Sequence, residues 1–186
     1  MKIVTISGAS KDVGKTNLAV SIIERYKGVA AVKYSLDYEG NGLGIVTDPE
    51  VLAQPGTDTG RFLRAGANPV FWVRTNKERL GLDLKKALSL LGPDSRVVIE
   101  GNSVLKHLKP ALAVFVMNSS WEKMKPSALD VIGRVQIVVE WGNDGGVREK
   151  IAEFNPDARV LTFNPIKPDG KDLELLFNHL GSVWRD

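Results

Sequence analysis

Short runs of β-branched residues alternate along the chain with segments whose apolar positions recur at helical spacing. The first run, KIVTIS at residues 2–7, predicts a buried strand. Leu18, Ile22 and Ile23 then share one helical face, opposite Glu24 and Arg25, which predicts a helix over residues 15–26. A second strand is expected over residues 28–35. The stretch 36–56 is rich in Gly, Pro and Asp, as in long functional connections. A short helix opens at Thr57 or Asp58, either a good N-cap, and stops at Gly66.

The alternation continues to the end of the chain. Strands are expected at 69–75, 95–101, 110–118, 134–142 and 158–165. Helices are expected from a cap at Asp83 to Gly92, over 146–156, and over 169–181, where Leu173, Leu176, Phe177 and Leu180 form an apolar face. Strands separated by helices imply βαβ units. Near-continuous apolar strands imply that both sheet faces are covered. The expected fold is α/β, a mostly parallel central sheet with helices on both faces, in a single domain spanning residues 1–186.

Composition narrows the chemistry. The chain is 43% hydrophobic and 25% charged, enough for a core and too apolar for disorder. Its net charge of +3 is scattered, and no basic run marks a nucleic-acid arm or a polybasic membrane segment. Cysteine is absent, which excludes disulfides, thiolate metal sites and a cysteine nucleophile. His107 and His179 lie too far apart in sequence to suggest a zinc motif. The N-terminus lacks a signal-peptide layout, and no apolar run approaches the ~20 residues needed to cross a bilayer. The expectation is a cytoplasmic protein with neither nucleic acid nor membrane as partner.

Between the first strand and helix stands ISGASKDVGKTNLA, residues 6–19. Gly14-Lys15-Thr16 ends it as a Walker A loop ends, but Ala9 occupies the usual first glycine, with Gly8 one step further out. Gly8 and Gly14 allow backbone N–H groups to point inward, and the following helix N-terminus adds partial positive charge. Gly8, Lys11, Asp12, Val13, Gly14, Lys15, Thr16 and Asn17 are therefore the candidate phosphate cradle for a purine nucleotide. Lys15 would reach the β- and γ-phosphates, and the Thr16 hydroxyl would ligate Mg²⁺.

Mg²⁺ prefers oxygen ligands, so acids are sought nearby. Glu100 ends the strand VVIE at the sheet edge where the loop lies. Asp37, Asp48 and Asp58 lie in or just after the long connection, and the residues leave open which of them assists the metal or water. Lys15, Asp58 and Glu100 form the candidate catalytic set, and Thr16, Asp58 and Glu100 the candidate metal ligands. Arg61 and Arg64 follow Asp58 on roughly one helical face, to meet phosphate or a partner's acid. Lys33, near the end of the second strand, reaches the same edge. Asn76-Lys77 matches the start of a guanine motif, but Arg79 stands where its aspartate belongs. Asn164, after the last strand, is the candidate for reading a purine edge.

The spacing Gly8-x5-Gly14-Lys15-Thr16 is similar to that of the dethiobiotin synthetase family, whose loop also carries an acid just before Val-Gly-Lys-Thr; Asp12 and Val13 stand there. Four blocks in order resemble the MobB family, the molybdopterin-guanine dinucleotide biosynthesis protein B. They are the first strand with its GKT loop, AVKYS (31–35), GTDTGRFLRAGA (56–67) and VVIEG (97–101). The third is the most specific, with Gly56, Asp58-Thr59, Arg61 and Ala65-Gly66-Ala67. The resemblance implies a GTP-binding P-loop NTPase with weak hydrolysis that assists molybdenum or tungsten pterin cofactor assembly. It also implies a homodimer docking to a pterin-cofactor nucleotidyltransferase or a molybdoenzyme factor. Lys15, Thr16 and Glu100 inherit phosphate and metal roles by this matching, and Asp58 and Arg61 the signature position. Three features depart from the family: the longer loop, Tyr34 in place of a histidine, and the segment GNSVLKHLKP after Glu100. The loop spacing leaves open an ATP-dependent small-molecule ligase or kinase, or a nucleotide switch without useful turnover.

Overall fold

The computed structural model describes residues 1–36, 42–118, 121, 124–142 and 147–185. β1 (Lys2–Gly8) alternates as its sequence requires, with Val4 and Ile6 on one face and Ile3, Thr5 and Ser7 on the other. α1 (Lys15–Arg25) follows and buries Leu18, Ala19, Ile22 and Ile23. Next come β2 (Ala30–Leu36), β3 (Gly44–Val46), α2 (Pro49–Leu52), α3 (Asp58–Ala65) and β4 (Val70–Thr75). α4 (Leu80–Ser89), β5 (Arg96–Glu100), a 3-10 turn (Ser103–Lys106) and β6 (Leu112–Asn118) complete the middle of the chain. α5 (Pro126–Ile132), β7 (Ile137–Trp141), α6 (Val147–Phe154), β8 (Arg159–Thr162) and α7 (Lys171–Arg185) close it.

The strands form one eight-stranded sheet in the order β3-β4-β2-β5-β1-β6-β7-β8. All pairings are parallel except β3 with β4, so β3 is an antiparallel edge. One face packs on α1, α3 and α7 through Ile22, Phe62, Leu176 and Phe177. The other packs on α4 through Leu84 and on α5 and α6 through Val131 and Ile151. β1 is central, between β5 and β6, and the chain turns left to β2 but later right to β6. The carboxyl ends of β1, β2 and β5 therefore share one edge at the switch point, where open α/β sheets build their sites. Among the described residues no helix is long and apolar enough to cross a membrane.

Five local features differ from the sequence pattern. β3 and α2 lie inside the expected long connection, and α5 occupies a stretch without strong periodicity. α7 runs on to Arg185, because Trp184 packs edge-on against Tyr26 at 5.0 Å. Asp83 is not a cap. α4 begins at Leu80, and Asp83 sits in its first turn at 2% exposure. There its carboxylate accepts from Thr75 Oγ1 at 2.7 Å and from Arg79 at 3.1 Å. The turn before it is closed instead by Asn76 Oδ1, which accepts the Arg79 N–H at 3.0 Å. Asp83→Ala should cost about 2 kcal/mol, since it removes two hydrogen bonds to a buried carboxylate, one from the buried Thr75 hydroxyl and one from Arg79. Urea unfolding would measure this, and an unchanged midpoint would show the pair to be dispensable.

Candidate nucleotide site

The loop after β1 starts as an extension of the sheet. Gly8 pairs with Val116, and the Ala9 N–H donates to Val116 O at 2.9 Å. Ala9 is buried in the apolar cluster of Phe115 and Met117. The residue just past β1 is thus tied to β6 by one further backbone bond, and the turn proper spans Ser10, Lys11, Asp12 and Val13. Asp12 (φ 59°) and Gly14 (φ 98°) both adopt the left-handed region needed to reverse the chain. At Gly14 a Cβ would stand 2.5 Å from Pro165 Cγ, so glycine is required there twice over.

Neighbouring elements hold the loop from both sides. Asn102 clamps Gly8: its Oδ1 accepts the Gly8 N–H at 2.9 Å and its Nδ2 donates to Gly8 O at 3.0 Å. Trp141 Nε1 donates to Val13 O at 2.9 Å. The Lys125 N–H donates to Ala9 O at 3.0 Å. Lys15 Nζ crosses the loop and donates to Ser10 O at 2.6 Å. Burial lowers the Lys15 pKa, and the lysines at 33 and 125 lower it further, against the pull of Glu100 and Asp58. An ammonium so desolvated gains strongly from an arriving anion.

The acids converge on Thr16. Its Oγ1 lies 2.9 Å from Asp58 Oδ1 and 3.0 Å from Glu100 Oε2, and it donates to one at a time. Glu100 is 1% exposed at the end of β5. Thr57 caps α3 by accepting the Gly60 N–H on Oγ1 at 3.1 Å. Asp58 is thereby released from capping and faces the site. Asp48 instead caps α2, accepting the Glu50 N–H at 2.9 Å. Asp37 lies outside the described residues.

Lys33 completes the cluster. Its Nζ is 2.5 Å from Asp58 Oδ2 and 2.7 Å from Glu100 Oε1, so one ammonium spans both carboxylates. Burial alone would lower the Lys33 pKa, but the Glu100 and Asp58 carboxylates outweigh it and raise it above its ordinary 10.5. Burial likewise favours a higher Asp58 pKa, yet the Lys33 bond and charge, with Thr16 and Arg61, hold it below its ordinary 3.8.

Linkage gives the signs. Asp58 stabilises the fold above its unfolded pKa, and that contribution is lost as pH falls through its lowered folded value. Lys33 stabilises it below 10.5, and that contribution is lost as pH rises through its raised folded value. Thermal unfolding across pH should show a plateau bounded by both limbs. Lys33→Met should erase the alkaline limb due to this group, and an unaltered profile would refute the coupling.

The donor set fits Mg²⁺. A hydroxyl and two carboxylates offer hard oxygens in one place, leaving room for the waters and phosphate oxygens that Mg²⁺ retains. No larger cluster of His, Cys, Asp and Glu suited to a metal occurs among the described residues. Around this centre lies a cleft of about 320 Å³, lined by Gly14, Lys15, Thr16, Asn17, Arg61 and Ile166 among others.

The remaining sequence candidates fall in several places. Arg61 donates to Asn17 Oδ1 at 3.2 and 3.3 Å, tying α3 to α1 at the cleft, while Arg64 is exposed. Lys11 and Asp12 line the cleft. Asn164 closes a turn by accepting the Ile166 N–H at 2.8 Å, and the next residue, Pro165, packs on Gly14. The β8–α7 turn is thus beside the loop. One contributor, Asn102, has no counterpart among the sequence candidates. Asn102 carried no signal beyond its place after Glu100. Lys33, expected at this edge, lies there and bridges the two acids.

No family model and no curated protein sequence matches the chain. Solved structures do. The hydrogenase maturation factor HypB from Archaeoglobus fulgidus superposes with a TM-score of 0.64 at 18% identity, covering 99% of this chain and 90% of that one. HypB from Helicobacter pylori in complex with nickel gives 0.62 at 16% identity, covering 100% and 87%. A Zn(II)-bound triple mutant of the YjiA GTPase gives 0.53 at 18% identity, covering 97% of this chain and 62% of that one. At such identities the likeness is one of fold, and with the sheet order and the loop it shows that this chain has the α/β fold of the P-loop NTPases.

Proposed function

We propose that the chain is a Mg²⁺-dependent, GTP-binding P-loop protein with slow GTPase activity, acting as an adaptor in molybdenum or tungsten pterin cofactor assembly in the cytoplasm. The observation that carries the nucleotide reading is the convergence of Thr16, Asp58 and Glu100 within about 3 Å beside Lys15. Lys15 exchanges Ser10 O for phosphate oxygens, and loop N–H groups face the same anion. Thr16, Asp58 and Glu100 would hold Mg²⁺, which would supply positive charge beside the nucleotide phosphates. Asn164, on the turn beside Gly14, reads the base.

The choice of GTP and of client rests on resemblance. GTDTGRFLRAGA supplies the Thr57 cap, the Asp58 carboxylate and the Arg61 link, so its motif residues build one wall of the site. Two of the fold neighbours are hydrogenase maturation factors, one with nickel, and a third is a GTPase. Metallocofactor assembly is in keeping with both. The partner would be a pterin-cofactor nucleotidyltransferase or a molybdoenzyme factor, engaged by a homodimer.

A second reading, an ATP-dependent ligase or kinase, is favoured by one observation. A cleft of about 400 Å³ adjoins Lys33 and Asp58 and reaches Ser35, Thr59 and Trp72, with space for a substrate. Titration of GTP and ATP with Mg²⁺ separates the two. Micromolar GTP binding supports the first, ATP binding without GTP binding the second, and neither nucleotide binding removes both. Co-purification of the native protein with a pterin nucleotidyltransferase tests the client, and its reproducible absence argues for another.

A further inference from the structure

Two clefts meet along Lys15, Lys33 and Glu100. The first follows the loop and helix α1 and is the nucleotide cleft described above. The second, of about 250 Å³, lies beyond the line of those three residues, against the turn after β5 and the start of α5. It offers room for on the order of eight water-sized groups, more than one terminal phosphate requires.

Its lining mixes polar and apolar surface, and its charge leans positive. Lys15, Lys33 and Lys125 line it with Glu100, and Lys33 is paired with both Glu100 and Asp58, which leaves Lys15 and Lys125 as the cations without a carboxylate of their own. The Glu100 carboxylate is already engaged by Lys33 and Thr16. Lys125 has no ion-pair partner among the described residues, and its charge bears unfavourably on Lys15. Ser103 and Ser127 add hydroxyls, and Asn102 Nδ2 donates to Ser127 Oγ at 3.3 Å. Cations and hydroxyls from separate elements that line one small cleft suit an oxyanion.

We infer that this second cleft is a subsite for a small carboxylate- or phosphate-bearing molecule, held by Lys125, Ser103 and Ser127 against the terminal phosphate of a nucleotide in the first cleft. The inference rests on the nucleotide reading, and it adds a second ligand to the site. Lys15 and Lys33 line both clefts and would sit between the two anions, screening their repulsion.

The test fills the first cleft before probing the second. The protein is loaded with Mg²⁺ and a non-hydrolysable GTP or ATP analogue, so that the terminal phosphate position is taken. Inorganic phosphate and succinate are then titrated separately by calorimetry, which tells a phosphate site from a carboxylate site. Saturable binding of at least one is expected, weakened about 10-fold or more by Lys125→Met. Analogue affinity should change far less. Ser127→Ala, a smaller change on the same wall, should weaken the same oxyanion in the same direction. If the analogue binds but neither oxyanion saturates, or if Lys125→Met binds it as tightly, the second subsite does not exist. If the analogue itself fails to bind, the nucleotide reading falls and this inference falls with it.

Discussion

Lys15→Ala is expected to weaken GTP and ATP binding by about 100-fold or more, with little change in thermal stability. The affinity loss follows from the hydrogen bonds that the ammonium would make to phosphate oxygens. Bonds to charged groups are worth about 1.5–3 kcal/mol each, and two of them account for such a factor. The small stability change follows from the resting state. Lys15 Nζ donates there to one loop carbonyl, Ser10 O, while the loop is independently held by Asn102, Trp141 and the β6 ladder. Burial also lowers the Lys15 pKa, so the folded protein gains little from its charge until an anion arrives. Equilibrium binding and thermal unfolding of the same two proteins check both halves. Affinity retained within a few-fold would remove Lys15 from the phosphate site.

The second large effect is a pair of opposite shifts in Mg²⁺ affinity. Glu100→Gln should weaken Mg²⁺ binding by on the order of 10–100-fold, since it removes a charged oxygen donor. Lys33→Met should strengthen it by about 10-fold or more. The reason is that the Lys33 ammonium lies 2.5 and 2.7 Å from the carboxylates that would hold the metal. A cation there competes with Mg²⁺ for the same oxygens and repels it. Stability should move the other way. Without Lys33, the buried Glu100 loses its cationic partner, and the apo protein should lose about 3 kcal/mol. Mg²⁺ should then restore part of that loss, because it binds only the folded state. Calorimetric Mg²⁺ titration and urea unfolding with and without Mg²⁺ read out both effects. Shifts of the same sign in the two variants would contradict this view of the cluster.

Much of this site could be read before folding. Gly14-Lys15-Thr16 between a strand and a helix matches the pattern of a phosphate loop, and the structure has that strand, turn and helix in order. Glu100 was legible because an acid ending an apolar strand marks the sheet edge. Among the three aspartates the sequence offered no choice. Folding made it through caps: Asp48 closes α2, Thr57 closes α3, and Asp58 alone of the described pair remains free to meet Thr16. Asp83 was misread for a related reason. As a cap it satisfies local rules, but burial beside Thr75 and Arg79 overrode them.

The sequence by itself determined the α/β fold, the loop, and the chemical types gathered at one sheet edge, since periodicity and glycine placement are local properties of the chain. Tertiary structure decided what those types do together. Lys33 and Asp58 are 25 positions apart, and Lys33 and Glu100 are 67. Only the parallel pairing of β2 with β5, Lys33 against Glu100, brings that lysine onto the acid. The additional loop residue was settled the same way: Ala9, just past the end of β1, is held by a bond to the neighbouring β6 backbone that no local pattern predicts. Strand order and register depend on contacts far apart in sequence, so the bridge of Lys33 and the clamp of Asn102 became visible only once the sheet was assembled.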